Sequence, residues 1–141
     1  MNKKTTTSLL LMLAAAAISA ESSQISPRQA EAIASQFANS TPRLKAYGTS
    51  HSAAAMKVAY TKMSATSAGE NLLHVVNRGD DGGYVVVAGD DAAPNVVLGY
   101  STGGTFDYET APENLRWWLD EYGRQMEYMI ENGITASEQA S

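Results

Sequence analysis

The apolar positions change period along the chain, and each change marks a new element. Leu9 to Ile18 form one apolar run without a charge. Further on, Ala30, Ile33, Ala34 and Phe37 recur at helical spacing, which predicts a helix over about 26–39 with these residues as its buried stripe. Ser26, Pro27 and Gln29 give that helix an N-cap hydroxyl, a proline at its first position and a capping-box glutamine. Pro42 discourages continuation, so the small, polar segment 40–54 reads as a loop with room for short structure.

The period then shortens to two. Met56, Val58 and Tyr60 alternate with Lys57 and Lys62, predicting a half-exposed strand over about 55–63. After a Ser/Gly/Thr turn at 64–70, Leu72, Leu73, Val75 and Val76 mark a second strand over about 71–78. The run Gly79-Asp80-Asp81-Gly82-Gly83 has hairpin chemistry, because glycine and aspartate accept positive φ. Tyr84 to Ala88 and Asn95 to Tyr100 are continuously apolar, which predicts two strands covered on both faces.

The last periodic segment is a long helix over about 111–132, with Thr110 as N-cap, Pro112, Glu113 as capping-box residue, and Gly133 past its end. Leu115, Trp118, Leu119, Tyr122, Met126, Met129 and Ile130 fall on its core face. The order helix, four strands, helix implies an α+β fold: a mainly antiparallel sheet packed with an N-terminal and a long C-terminal helix. At about 100° per residue, Trp117 lies nearly opposite the core face, in line with Glu121, Arg124 and Tyr128. Such a stripe has the composition of an interface. Half-burial of Trp117 between solvated charges would account for it equally well.

Charge and composition refine this picture. Lys3 and Lys4 precede the apolar run and Ile18-Ser19-Ala20 follows it, so residues 1–20 read as a signal peptide. The run is shorter than the ~20 apolar residues of a membrane span. The expected organisation is a signal peptide at 1–20, one domain at 21–133 and a linker or tail at 134–141, with the product secreted and off the membrane once cleaved. The exported part carries 8 basic and 15 acidic side chains, a net charge of −7. Residues 79–141 hold 12 acidic side chains against Arg116 and Arg124 alone. That imbalance repels phosphate backbones and argues against nucleic acid; a basic partner surface fits better.

No catalytic or cofactor chemistry is legible. The sequence has no cysteine, hence no thiol nucleophile, disulfide or thiolate metal site. His51 and His74 lack acidic neighbours, and His74 sits inside an apolar strand. No serine occupies a Gly-x-Ser-x-Gly elbow, and no phosphate-binding or dinucleotide glycine pattern occurs. Asp80-Asp81 and Asp90-Asp91 suit turns rather than a metal. Asn39-Ser40-Thr41 fits a glycosylation acceptor. The expectation is no cofactor, no metal and no catalysis by this chain.

The run Gly83-Tyr84-Val85-Val86-Val87-Ala88-Gly89-Asp90-Asp91, with Pro94, Val97-Leu98-Gly99-Tyr100-Ser101 and Gly104-Thr105-Phe106-Asp107, resembles the propeptide of streptopain-type cysteine proteases, peptidase family C10. It is also similar to the small stand-alone Spi-type inhibitors of those enzymes. The resemblance covers about 71–132 well and the first helix loosely. It implies a domain that keeps an exported C10 protease latent and assists its folding, with the catalytic domain as its partner in cis or in trans. In that family an asparagine at the start of the last helix is directed toward the active-site cleft. Glu113-Asn114-Leu115 matches that segment and makes Asn114 the carried-over residue, although Tyr108 to Pro112 departs from the family's Asn/Gly-rich lead-in. Asn114, Trp117, Glu121, Arg124, Tyr128 and Tyr108 are therefore the expected protease-binding residues. The propeptide is the favoured reading, with a free-standing inhibitor second. A surface-binding or adhesion module unrelated to proteolysis is the third.

Overall fold

The computed structural model of the protein describes residues 22–47 and 56–136. Residues 1–20, read above as a signal peptide, His51 and the tail from 137 onward lie outside the described residues. The element order is α1 (Pro27–Ser40), α2 (Pro42–Tyr47), β1 (Met56–Met63), β2 (Asn71–Arg78), β3 (Tyr84–Ala88), β4 (Val97–Ser101) and α3 (Glu113–Glu131). The four strands form one antiparallel sheet in the order β1-β2-β3-β4. This is the expected α+β arrangement, with one addition. The first helix ends before Pro42 as expected, at Ser40, and Pro42 then opens the short α2, because proline's missing N–H costs nothing in a first turn.

The Ser26 capping box forms in full: the Ser26 hydroxyl accepts from the Gln29 backbone N–H, and the Gln29 side-chain Oε1 accepts from the Ser26 N–H. The other cap is a correction. Thr110 does not cap α3; Pro112 takes the N-cap position without a side-chain bond, and Thr110 closes a turn onto Asp107. The C-terminus of α3 ends as expected. Gly133 turns left-handed at φ 62, its N–H reaches the Ile130 carbonyl, and the Ile134 N–H reaches Met129.

Each face of the sheet packs on a different helix. Ala30, Ala34 and Ala38 of α1 pack with Val76, Val85 and Val87, and the alanine stripe brings that helix close. On the other face Leu73, Val75 and Val86 pack with Phe106 and Leu119, and Leu72 with Met126. Strand β3 is therefore covered on both faces as expected. Strand β4 is not, which is a second correction: it is only half-buried, and Tyr100 stands 41 % exposed. As an edge strand it has apolar neighbours along only part of its length.

An N-terminal arm closes the core. Ile25 donates its N–H to the Gly89 carbonyl, and the Gln24 amide pairs with both the N–H and C=O of Asn71 while also donating to Asp90. His74 lies fully buried under this arm. Its Nε2 lies 2.8 Å from the Ile25 carbonyl, which can only accept, so Nε2 carries the hydrogen and Nδ1 accepts from the Thr61 hydroxyl. Burial lowers its pKa below 6.5, and the Ile25 bond only partly opposes this. His74 is thus a packed structural histidine.

Candidate functional site

Helix α3 has two unlike flanks. On the β1 side it is clasped. Lys62 crosses the helix at Gly123 and reaches Asp120 at 2.9 Å. A Cβ at position 123 would stand 2.6 Å from the lysine stem and push it off this path. Burial alone would lower the Lys62 pKa; the Asp120 hydrogen bond, together with the electrostatic pull of Tyr60, Asp120 and Tyr108, offsets this and holds the ammonium above its usual value. Glu127 accepts from Thr66 and Ser64 in the β1–β2 loop, and these bonds hold its carboxyl below the usual range. At the start of the helix, Tyr108 stacks on Tyr60 with centroids 4.6 Å apart, and Arg116 sits over the Tyr108 ring.

On the β4 side the helix stands away from the sheet. A groove of about 670 Å³ opens there, lined by Val97, Leu98, Tyr122, Met126 and Met129, with Glu121, Arg124 and Tyr128 along the helix. Trp118 fills the space beside the groove. It packs on Tyr122 and lies over Gly99, where a Cβ would meet its ring at 3.1 Å.

The expected binding residues divide between these settings. Asn114, Trp117, Glu121, Arg124 and Tyr128 follow one another at spacings of three and four, so they line one outward crest of α3 about 21 Å long. Trp117 is 63 % exposed and Tyr128 62 %, the two most exposed large apolar side chains among the described residues. Arg124 and Glu121 form an ion pair on the crest. Asn114 is exposed, and its side-chain oxygen accepts only from the next N–H, that of Leu115. Tyr108 is the exception: its ring belongs to the β1 flank, half-buried against Tyr60. The lead-in to α3 is a self-braced turn in which Asp107 accepts from Glu109 and Thr110.

Sequence reading missed the groove. Leu98, Met129 and Ile134 look like ordinary core or tail positions, and nothing local distinguishes them. The juxtaposition of Gly99 with Trp118 creates this flank, and those residues lie on different elements.

Among the described residues no group of His, Asp and Glu is placed to hold a metal ion, and no helix is long and apolar enough to cross a membrane.

The thiol protease/hemagglutinin PrtT of Porphyromonas gingivalis is 47 % identical over 57 residues, which are 40 % of this chain and 6 % of that protein. The chain thus matches a small part of a much longer relative. No solved structure matches it. The sequence matches the Spi protease inhibitor family over residues 22–126, which takes in α1, α2, the whole sheet and most of α3. The chain belongs to the Spi protease inhibitor family.

Proposed function

We propose that this domain is the inhibitory propeptide of an exported, streptopain-like C10 cysteine protease, holding the enzyme latent and assisting its folding. The observation that carries the reading is the crest of α3. A Spi-type inhibitor fold leaves its two most exposed aromatics, Trp117 and Tyr128, on one line with Asn114, and none of the other described elements covers them. Burying such anchors against an enzyme releases apolar surface from water and supplies most of an interface's affinity.

In this reading the crest lies beside the protease cleft, and Asn114, at the exposed start of the helix, points along the approach to the catalytic groups. The braced turn at Asp107 to Pro112 fixes where the helix begins and so how far Asn114 reaches. Tyr108 acts from behind, by stacking on Tyr60 to hold that turn. Inhibition is then occupation of the cleft by a folded domain that has no scissile chemistry of its own. Likeness to part of a thiol protease supports action in cis, while the inhibitor family accommodates action in trans with the same surface. Residues 1–20 act as the export signal in either case.

The test is direct. The purified chain is added to mature PrtT and to a mature streptopain-type protease, and peptide hydrolysis is followed. Inhibition is expected, weakened by Asn114→Ala and by Trp117→Ala. Activity unchanged in both enzymes sinks the reading. Inhibition that survives both substitutions moves the interface off the crest. Sequencing past codon 141 separates a propeptide from a free-standing inhibitor.

A further inference from the structure

Asn77 is an unusual residue for its place. It lies near the end of β2, between Lys57 of β1 and Tyr84 of β3, and directly follows the fully buried Val75 and Val76. Asparagine is depleted in strands, because its short polar side chain packs poorly on a pleated surface. A valine or threonine would suit the strand better.

The amide is used to hold a different segment. Asn77 Nδ2 donates to the Phe106 carbonyl at 2.9 Å, and Asn77 Oδ1 accepts the Phe106 N–H at 2.8 Å. One side chain thus makes the two bonds that a paired strand residue makes with its backbone. Phe106 is 4 % exposed, so its N–H and C=O have little water to turn to without Asn77.

Phe106 opens the lead-in to α3. Upstream, the chain is tied to the β2–β3 hairpin: the Gly83 N–H donates to the Gly104 carbonyl, and the Asp81 N–H to the Thr105 hydroxyl. Downstream, the ties are internal or apolar. Asp107 accepts from Glu109 and Thr110, and Tyr108 stacks on Tyr60. Among the described residues, the Asn77 pair is the last hydrogen bond between the sheet and this chain before α3 begins at Glu113. A turn braced only on itself can swing as a unit. Stacked rings tolerate sliding over a range of offsets, whereas two converging hydrogen bonds fix both distance and angle.

We propose that Asn77 is a positioning residue for inhibition: its amide fixes the turn at 107–112 on the sheet and so sets where Asn114 stands when the domain meets the protease. This rests on the inhibitor reading above and adds to it a residue that acts only through Asn114.

A double-mutant cycle on the full chain tests it, with inhibition of mature PrtT or a streptopain-type protease as the readout. Asn77→Ala is expected to weaken inhibition about tenfold, since two backbone groups lose their partner and the turn its fixed seat. In an Asn114→Ala background the same change is expected to weaken it less than about twofold, and in a Trp117→Ala background about tenfold again. Amide exchange in the free Asn77→Ala protein should quicken across 107–112 and stay unchanged across 119–131. Asn77→Thr, with a side chain suited to strands, takes its place if the alanine protein does not fold. Equal losses in all three backgrounds mark Asn77 as purely structural and overturn the proposal. Unchanged inhibition by Asn77→Ala also overturns it and leaves the inhibitor reading standing. Unsubstituted protein that inhibits neither protease overturns both.

Discussion

The β1 and β4 sides of this domain are built from the same sheet and flank the same helix, yet they do opposite things. Toward β1, α3 is tied down by Lys62–Asp120, by Glu127 on Ser64 and Thr66, and by the Tyr60–Tyr108–Arg116 stack. Toward β4 it is propped open by Trp118 and leaves an apolar groove. Polar clasps fix the angle of the helix from one side, so the other side can stay uncovered without the helix drifting. Stability is thereby assigned to the β1 flank, and the other flank is left free for the proposed contact with a protease.

The largest expected effect removes the contrast altogether. Leu119 is fully buried between sheet and helix and supports both flanks. Leu119→Ala should cost about 3 kcal/mol in urea unfolding and lower inhibition as well, since α3 loses its seat. A smaller loss would mean that the clasps alone hold the helix. Next comes Trp117→Ala on the crest, expected to weaken inhibition about 30-fold, or about 2 kcal/mol, while changing stability by less than about 0.5 kcal/mol. A melting temperature that falls with the inhibition would show that Trp117 is structural.

A graded effect should follow from pH. The folded-state pKa of His74 lies below 6.5, so the unfolded chain takes up a proton first as the solution is acidified. Stability from this site is complete above pH 6.5 and declines as pH falls through the window between 6.5 and the folded value. Thermal melts over that range should show the decline, and His74→Gln should flatten it. An unchanged slope would place the acid sensitivity elsewhere. The smallest expected change is Lys62→Ala on the clasped flank. This partly exposed ion pair should be worth about 0.5 kcal/mol, with inhibition unaffected. Lost inhibition would mean that the two flanks communicate.

Much of the molecule was legible one element at a time. The Ser26 capping box, the β2 strand and its hairpin, the Gly133 stop and the core stripe of α3 all rest on contacts within a few residues, so local sequence suffices for them. Thr110 misled because its chemistry suits a cap, while Asp107 three residues earlier competes for the same turn. The apolar run of β4 misled because period describes a strand and not its place in the sheet. The stripe of Trp117, Glu121, Arg124 and Tyr128 was readable from spacing and Asn114 from the family resemblance, although the extent of their exposure was not.

The sequence by itself determined which residues face inward on each element, where the chain turns, and that no thiol or familiar nucleophile motif is present. Those depend on period, turn chemistry and residue identity. Only the tertiary structure decided that β4 is an edge strand, that Lys62 crosses at Gly123, that the amides of Gln24 and Asn77 pair with distant backbone, and that a groove opens beside α3. Each of these joins residues far apart in the chain. Their energies depend on which surfaces meet, and no local pattern encodes that.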